Sequence, residues 1–424
     1  MKDHINNKNI WISWTELKSK LKGKNEIFLF GKSQNLIPKT LKKLKFSGKI
    51  SIIDNNKDIE GSSYFDLKIL DAKKILKNNS KNIFIIICVE PYSIIPQLLE
   101  NNLIPGNNYV CTPAIEHWGK LQMLKNFTSD IIFTSSDFNY KKSLKGSKSG
   151  GGIFLANFQN NSYEKKIAGQ FRQIIKTSSG YYAINFVKKE IVKFNNNFKI
   201  LNKFKIFQKN KNTKYCGLTY DEKNQVFYMV NTTSDFIEIF DRKFKKLDEI
   251  CFLEKKYRKK NLYYFNEGVC HLNDLVFSDN KLYVSYFSLT GRWRDNLFDG
   301  GLCEIDPVTH KKKIKFKNLY QPHSPHVYNN DFYILDSMRG ILLNNKGLKI
   351  KFNGFIRGVD INKDYFFIGQ SESMYLNQRF SRINKEITNC NSGIYCIDKS
   401  NNCSRFLSTP DVMNIHSLHL TKNK

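Results

Sequence analysis

The chain has no cysteine pair at C-x-x-C spacing. Its nine cysteines, at positions 88, 111, 216, 251, 270, 303, 390, 396 and 403, are odd in number and scattered. That pattern argues against a disulfide framework and a zinc ribbon, and leaves reduced, mostly buried thiols as the expectation. Long apolar runs are missing too. Ile83-Phe84-Ile85-Ile86-Ile87-Cys88-Val89 falls far short of the ~20 residues that a membrane-crossing helix needs, so it reads as a buried strand and no membrane span is expected. The opening stretch MKDHINNKNIWISW lacks an apolar h-region and a small-residue cleavage site, which makes the cytoplasm the expected location. Acidic side chains are few: 38 against 68 lysines and arginines, a net charge of +30. A basic surface attracts polyanions. The lysines are nevertheless spread through the whole chain with Asn, Ile and Phe, and no zinc finger, helix-turn-helix pattern or aromatic RNA-binding strand accompanies them. No specific nucleic-acid partner is expected.

What is present is core-forming material. With 41% hydrophobic and 14% aromatic residues, 424 residues can bury two or three cores. Residues 1–125 alternate short apolar runs with helical stretches, as in NEIFLFGKSQNLIPKTLKKLKFSGKISIIDNN and IFIIICVEPYSIIPQLLENNL, which predicts a small parallel sheet covered by helices. Gly31 in the turn after the first strand, and Asp54 at the end of the next strand 23 positions later, form the skeleton of a dinucleotide-binding turn. There a glycine permits the tight turn and a carboxylate accepts from ribose hydroxyls. Ser33 and Leu36 replace the second and third glycines of that pattern, so a pyrophosphate would find no close backbone approach. This half resembles the small Rossmann-like modules of sugar-modifying enzymes in surface-glycan pathways.

From residue 126 onward the helical period gives way to short strands separated by Asp-Asn, Asn-Asn and Asn-Lys turns. RQIIKTSSGYYAINF, YCGLTYDEKNQVFYMVNTTS, HLNDLVFSDNKLYVSYFS, SPHVYNNDFYILDS and RGVDINKDYFFIGQS share one design: a polar or glycine lead, a strand, a tight turn and a second strand. Their leads near Gln173, Gly217, Asn273, Ser324 and Gly358 lie 44, 56, 51 and 34 residues apart, the period of propeller blades. A sixth blade can be assembled from both ends of this region: DIIFTSSDF, GGIFLANF and KKIAGQ from its start, and NIHSLHL from the C-terminal end. The fold class predicted is therefore multidomain, an N-terminal α/β Rossmann-like module (1–125) followed by an all-β six-bladed propeller (126–424). Closing the ring in this way hides strand edges.

The motifs HLNDLVFSDNKLYVSYFSLTGRWRDNLFDGGLCEID, QPHSPHVYNNDFYILDSMRG, FIRGVDINKDYFFIGQSE and SGIYCID, in that order, resemble the uncharacterised propeller family known as domain of unknown function 4915. The resemblance implies the propeller fold and carries no activity with it.

In an up-and-down blade, the loop leading into the first strand and the loop joining the second strand to the third share one rim. The leading loops hold His271, Asn273, Asp274, His323, His326, Arg357 and His416. The second-to-third loops hold Arg292, Trp293, Arg294, Asp336, Arg339, Gln370, Glu372, Tyr375 and Arg379. Five of the eight histidines (271, 323, 326, 416, 419) fall in or just after blade leads. Three chemistries suit such a funnel. A divalent metal, the candidate cofactor, can sit among His and Asp and polarise a carbonyl or activate water. His271, His323 or His326 with Asp274 or Asp336 can act as a general acid or base. Asn273, Arg292, Trp293, Arg294, Arg339, Arg357, Gln370 and His416 can clamp a glycan or anionic small molecule by bidentate hydrogen bonds and stacking. The bland alternative is that each polar group satisfies backbone amides around a propeller channel. The functional expectation is a carbohydrate-linked protein that binds a sugar, nucleotide-sugar or other anionic metabolite, with hydrolysis or isomerisation as the chemistry the funnel permits. The rival reading is a non-catalytic scaffold that presents the same face to a protein.

Overall fold

The computed structural model describes residues 8–78, 83–115, 119, 121, 124, 125, 127–136, 150–206, 213–253, 268–372, 391–400 and 402–421. Tyr375, Arg379, most of the basic loop at 142–152 and the stretch KKYRKKNLYY lie outside them. The chain divides into two compact units, residues 1–127 and 128–424.

The first unit is mixed α/β. Its strands are β1 (Glu26–Phe30), β2 (Lys49–Asp54), β3 (Ser63–Tyr64), β4 (Leu67–Asp71), β5 (Ile85–Ile87) and β6 (Tyr109–Cys111), in the sheet order β3-β4-β2-β1-β5-β6. All neighbouring pairs are parallel except the short β3/β4 hairpin. These strands read as unbroken apolar runs because both faces of the sheet are covered. Alternate residues enter different cores: Phe28, Phe30, Ile85 and Ile87 pack with helices Ala72–Asn78 and Pro91–Glu100, whereas Ile27, Leu29, Ile86 and Val110 pack with helices Trp14–Lys20 and Leu36–Lys43.

The second unit is a six-bladed β-propeller, each blade a four-stranded antiparallel sheet. The inner strands are Phe171–Thr177, Tyr215–Asp221, Leu272–Ser278, Pro322–Tyr328, Phe355–Ile361 and Ser417–Leu420, which belong to blades 1 to 6 in that order. Blade 6 is the composite one. Ser417–Leu420 pairs with Asp130–Ser135, which continues into Gly152–Asn157 and Ser162–Ala168. Second strands are buried almost throughout, as in Tyr365–Ser371, while outer strands such as Ile200–Lys205 and Lys246–Cys251 are mostly exposed. This radial gradient explains why the middle strands are so apolar.

One irregularity recurs. In each complete blade the pairing of the first and second strands slips at the same place: between Phe171 and Ile174, Tyr215 and Leu218, Leu272 and Leu275, His323 and His326, and Ile356 and Val359. A bulge leaves its extra residue outside the ladder and re-aims side chains. The residues at the five slips are Arg172-Gln173, Cys216-Gly217, Asn273-Asp274, Ser324-Pro325 and Arg357-Gly358, and His416-Ser417 falls at the matching point of blade 6.

Candidate functional site

The free edge of each inner strand faces the propeller axis, where no further strand can pair with it, and its amides must find other acceptors. Side chains from the preceding blade supply them. Gln173 accepts from Leu218 N (2.9 Å), Thr219 from Phe277 N (3.0 Å), Asp274 from Ser324 N (2.9 Å), Ser324 from Gly358 N (2.9 Å) and Asp360 from Leu420 N (2.5 Å). Asp274 and Asp360 thus lace neighbouring blades together. Gly358 is required at its bulge, with φ at +82° and any Cβ about 3.1 Å from Leu418.

The bulge layer collects charge. Arg357 Nη2 reaches Asn273 Oδ1 at 3.5 Å, across the inner strand of blade 4. Asp274 is buried, which raises its pKa against the opposing pull of Arg357 and Arg172. His416 and His323 are held well below the ordinary imidazole value, first by burial and then by the fields of Arg357 and Arg172. His416 Nε2 sits 2.5 Å from Ser136 Oγ, while its buried Nδ1 has no hydrogen-bond partner among the described residues. Asn273, Asp274, His323, Arg357 and His416 therefore form one electrostatic cluster. Arg172, which the sequence reading passed over, belongs to it; it also stacks on Phe186, 4.5 Å from the ring centroid.

Among the described residues, the rim where the inner strands begin is packed at blades 3 to 5. His271 stacks on Phe287 (4.4 Å between centroids) and lies 4.7 Å from Trp293, while His323 stands edge-on to Phe287 and Phe355. Trp293 Nε1 donates to Val269 O (3.0 Å), and His323 Nδ1 lies 2.8 Å from Gln321 O and 2.9 Å from Ser337 Oγ. Phe287, Trp293, Phe298, Met338 and Phe355 make an apolar cluster there. Arg294 donates to Gly268 O, and the fully buried Asp336 carboxylate accepts from Arg339 and Tyr320 N. Gln370 is spent on Asn391 O and Tyr395 OH. Arg292 starts a short 3-10 turn, Arg292–Asp295.

Open space lies on the other side of the bulge layer. A cavity of about 320 Å³ runs from Gln173, Asp274, Ser324 and His416 to the far ends of the inner strands at Lys176, Glu222 and Phe277. That is within the size range of small-molecule sites. Its wall carries His326, Asp360 and His419, contributed by the inner strands of blades 4, 5 and 6. His326 Nε2 lies 3.9 Å from one Asp360 carboxylate oxygen, and His419 Nδ1 lies 3.9 Å from the other. Burial lowers the pKa of both imidazoles and Asp360 works against it. The structure thus separates His326 from His271 and His323 along the channel. No group of three or more His, Cys, Asp or Glu side chains is disposed to hold a metal ion among the described residues.

In the first unit, Gly31 has φ +93°, and a Cβ there would lie 2.2 Å from Val89 Cγ1. Asp54 accepts from Lys32 N (2.8 Å) and Asn56 N (2.9 Å). Both residues already have local structural work to do.

No curated protein matches the sequence. Among solved structures, the chain is similar to a protein of unknown function from Bacteroides caccae, at 9% identity and a TM-score of 0.46, with 70% of this chain and 100% of that one covered. It is similar to a chain of a nidogen/laminin complex, at 9% identity and a TM-score of 0.45, with 69% and 97% covered. A third likeness is to regucalcin, a calcium-binding protein from Agrobacterium tumefaciens, at 9% identity and a TM-score of 0.38, with 55% and 73% covered. Over residues 208–417, from just before blade 2 to the first residue of the strand that closes the ring, the chain matches the family described as Domain of unknown function (DUF4915).

Proposed function

We propose that the propeller is a cytoplasmic receptor for a small, hydroxylated, anionic metabolite, of the sugar-acid, sugar-phosphate or nucleotide-sugar class, seated in the channel cavity. The observation that carries this reading is the cavity floor. There the buried Nδ1 of His416 has no hydrogen-bond partner among the described residues, and the fields of Arg172 and Arg357 bear on that imidazole. The cavity also carries the carboxylates of Glu222, Asp274 and Asp360, so the pull on an anionic group is local to the His416 end, where Arg172 and Arg357 bear on the imidazole. Lys176 is a further cation in the cavity wall. The resemblance read in the sequence of residues 1–125 to modules of surface-glycan enzymes is the reason for proposing a sugar as the ligand. The cytoplasmic assignment agrees with the eight cysteines described, all of which are free thiols.

Thermal melting in the presence of gluconate, glucose 6-phosphate and UDP-glucose, with neutral glucose as control, tests the reading. At a hundredfold excess over Kd a bound ligand adds about 2.7 kcal/mol to stability. At least one anionic sugar should raise Tm, and His416→Ala should remove the shift. Equal behaviour of glucose and the anions, or no shift with any of them, overturns the proposal.

A further inference from the structure

Asp274 and Asp360 both lace blades together, but Asp360 does something that lacing does not require: its two oxygens each face a different histidine. His326 comes from blade 4 and His419 from blade 6, and both contact distances are 3.9 Å. All three side chains line the cavity. About a quarter of each imidazole side chain remains exposed (24% and 26%), so neither is sealed into the core. The edge of His419 meets Tyr181, 5.4 Å between centroids, which fixes the plane of that ring. A lone histidine in a channel wall is ordinary; two that share one carboxylate across three blades are an arrangement.

We propose that His326 and His419, held on either side of Asp360, are an acid–base pair that moves a proton on a hydroxylated carbonyl ligand in the channel cavity. The identity of the ligand rests on the receptor reading above; the reactivity of the pair does not. Asp360 favours one proton on the pair and repulsion between like charges disfavours a second; because burial lowers both imidazoles, the singly protonated pair belongs to the acid side of the ordinary imidazole range. The pair then holds one base and one acid at once, as an isomerisation requires. The neutral imidazole takes the proton from the carbon beside the carbonyl, and the C–H electron pair moves into the carbon–carbon double bond of an enediol. The imidazolium gives its proton to the carbonyl oxygen. Reversal at the neighbouring carbon returns one proton to carbon and one to the pair. One C–H bond breaks and one forms, with no oxidant, reductant or second substrate. Asp360 acts on both imidazoles through its charge: at 3.9 Å it is hydrogen-bonded to neither, and its oxygens accept from Ile361 N (2.8 Å) and Leu420 N (2.5 Å). Lys399 faces His326 and Lys176 faces His419, and each opposes protonation of its neighbour.

Alkylation tests this without knowledge of the substrate. With thiols first blocked by methyl methanethiosulfonate, the full chain is treated with iodoacetate or with neutral iodoacetamide across pH 5 to 8, and modified histidines are located by peptide mass spectrometry. Exposed His310, in the hairpin between the third and fourth strands of blade 3, is the internal standard. His326 or His419 should be carboxymethylated faster than His310, and one per molecule rather than both, since the first adduct fills the space between them. Asp360→Asn should move the rise in rate to lower pH, because the carboxylate favours the protonated imidazoles. If Asp360→Asn fails to fold, His326→Gln serves instead: loss of one imidazole should move the rise for His419 to higher pH, since a like charge has gone. Labelling no faster than His310, or both histidines labelled independently in one molecule, overturns the pair. With each rate divided by that of His310, a preference for iodoacetate over iodoacetamide at the pair supports an anionic ligand; no preference would leave the pair standing and sink the anionic ligand.

Discussion

Asp235 shows how much a single residue can decide in this fold. It lies in the turn between the second and third strands of blade 2, with φ +57°, and its carboxylate accepts from Cys270 N (2.9 Å) and Leu272 N (3.4 Å), fixing the segment that carries His271. Burial lifts its pKa to about 6, against the pull of those amides and Arg294. The folded state therefore holds this proton more tightly than the unfolded chain does. The stability it contributes is complete below pH 4 and is lost as pH rises through about 6. The variant Asp235→Asn does not titrate, so wild-type stability should fall relative to it by up to about 3 kcal/mol across that window, followed by urea melts at several pH values. Parallel curves for the two proteins would refute the assignment. Legibility at this scale was uneven. His271, His323, His326 and His416 stood out because histidine is rare in the chain and they sat beside blade leads. Arg172 in FRQIIK, Asp235 and Asp360 did not, since an ordinary strand or turn can carry each of them. Nor could the sequence show that His323 and His326 lie on different sides of a bulge, because a bulge leaves no compositional mark.

At the scale of the strand, the leads near Gln173, Gly217, Asn273, Ser324 and Gly358 were legible because the bulge demands small or polar residues there. They fall at or beside the register slips of blades 1 to 5. The composite blade was legible because KKIAGQ needed a sheet and NIHSLHL needed a partner. What could not be read was that aromatics from Phe287 to Phe355, far apart in the chain, pack together at the leading ends of blades 3 to 5. Ser417–Leu420 pairs with residues 131–134 and donates Leu420 N to Asp360. Removing residues 417–421 should leave Asp130–Ser135 as an unprotected edge, a template for aggregation. Light scattering on heating should rise earlier than in the intact protein, and a synthetic peptide of residues 414–421 should reverse the effect. A deletion that melts like wild type would show that the last strand is dispensable.

Across the whole molecule, the chain divides into units at Phe127 and Thr128. Residues 128–424 expressed alone should give a β-type circular dichroism spectrum without helical minima; strong helical minima, or failure to fold where the full chain succeeds, would speak against independence. The large positive charge also finds a place. Outer strands carry Lys203, Lys205, Lys246, Lys312, Lys313, Lys315, Lys349 and Lys351, where charge discourages edge-to-edge pairing. No helix among the described residues is long and apolar enough to cross a membrane. The composite blade carries one more consequence, in time rather than space. Asp130–Ser135 leaves the ribosome 282 residues before its partner strand begins at Ser417, an interval of roughly 14 to 56 s at 5–20 residues per second. Throughout that interval, blades 1 to 5 can form in turn while the first-made strands of blade 6 remain one strand short, with the edge of Asp130–Ser135 unpaired until the strand after His416 arrives.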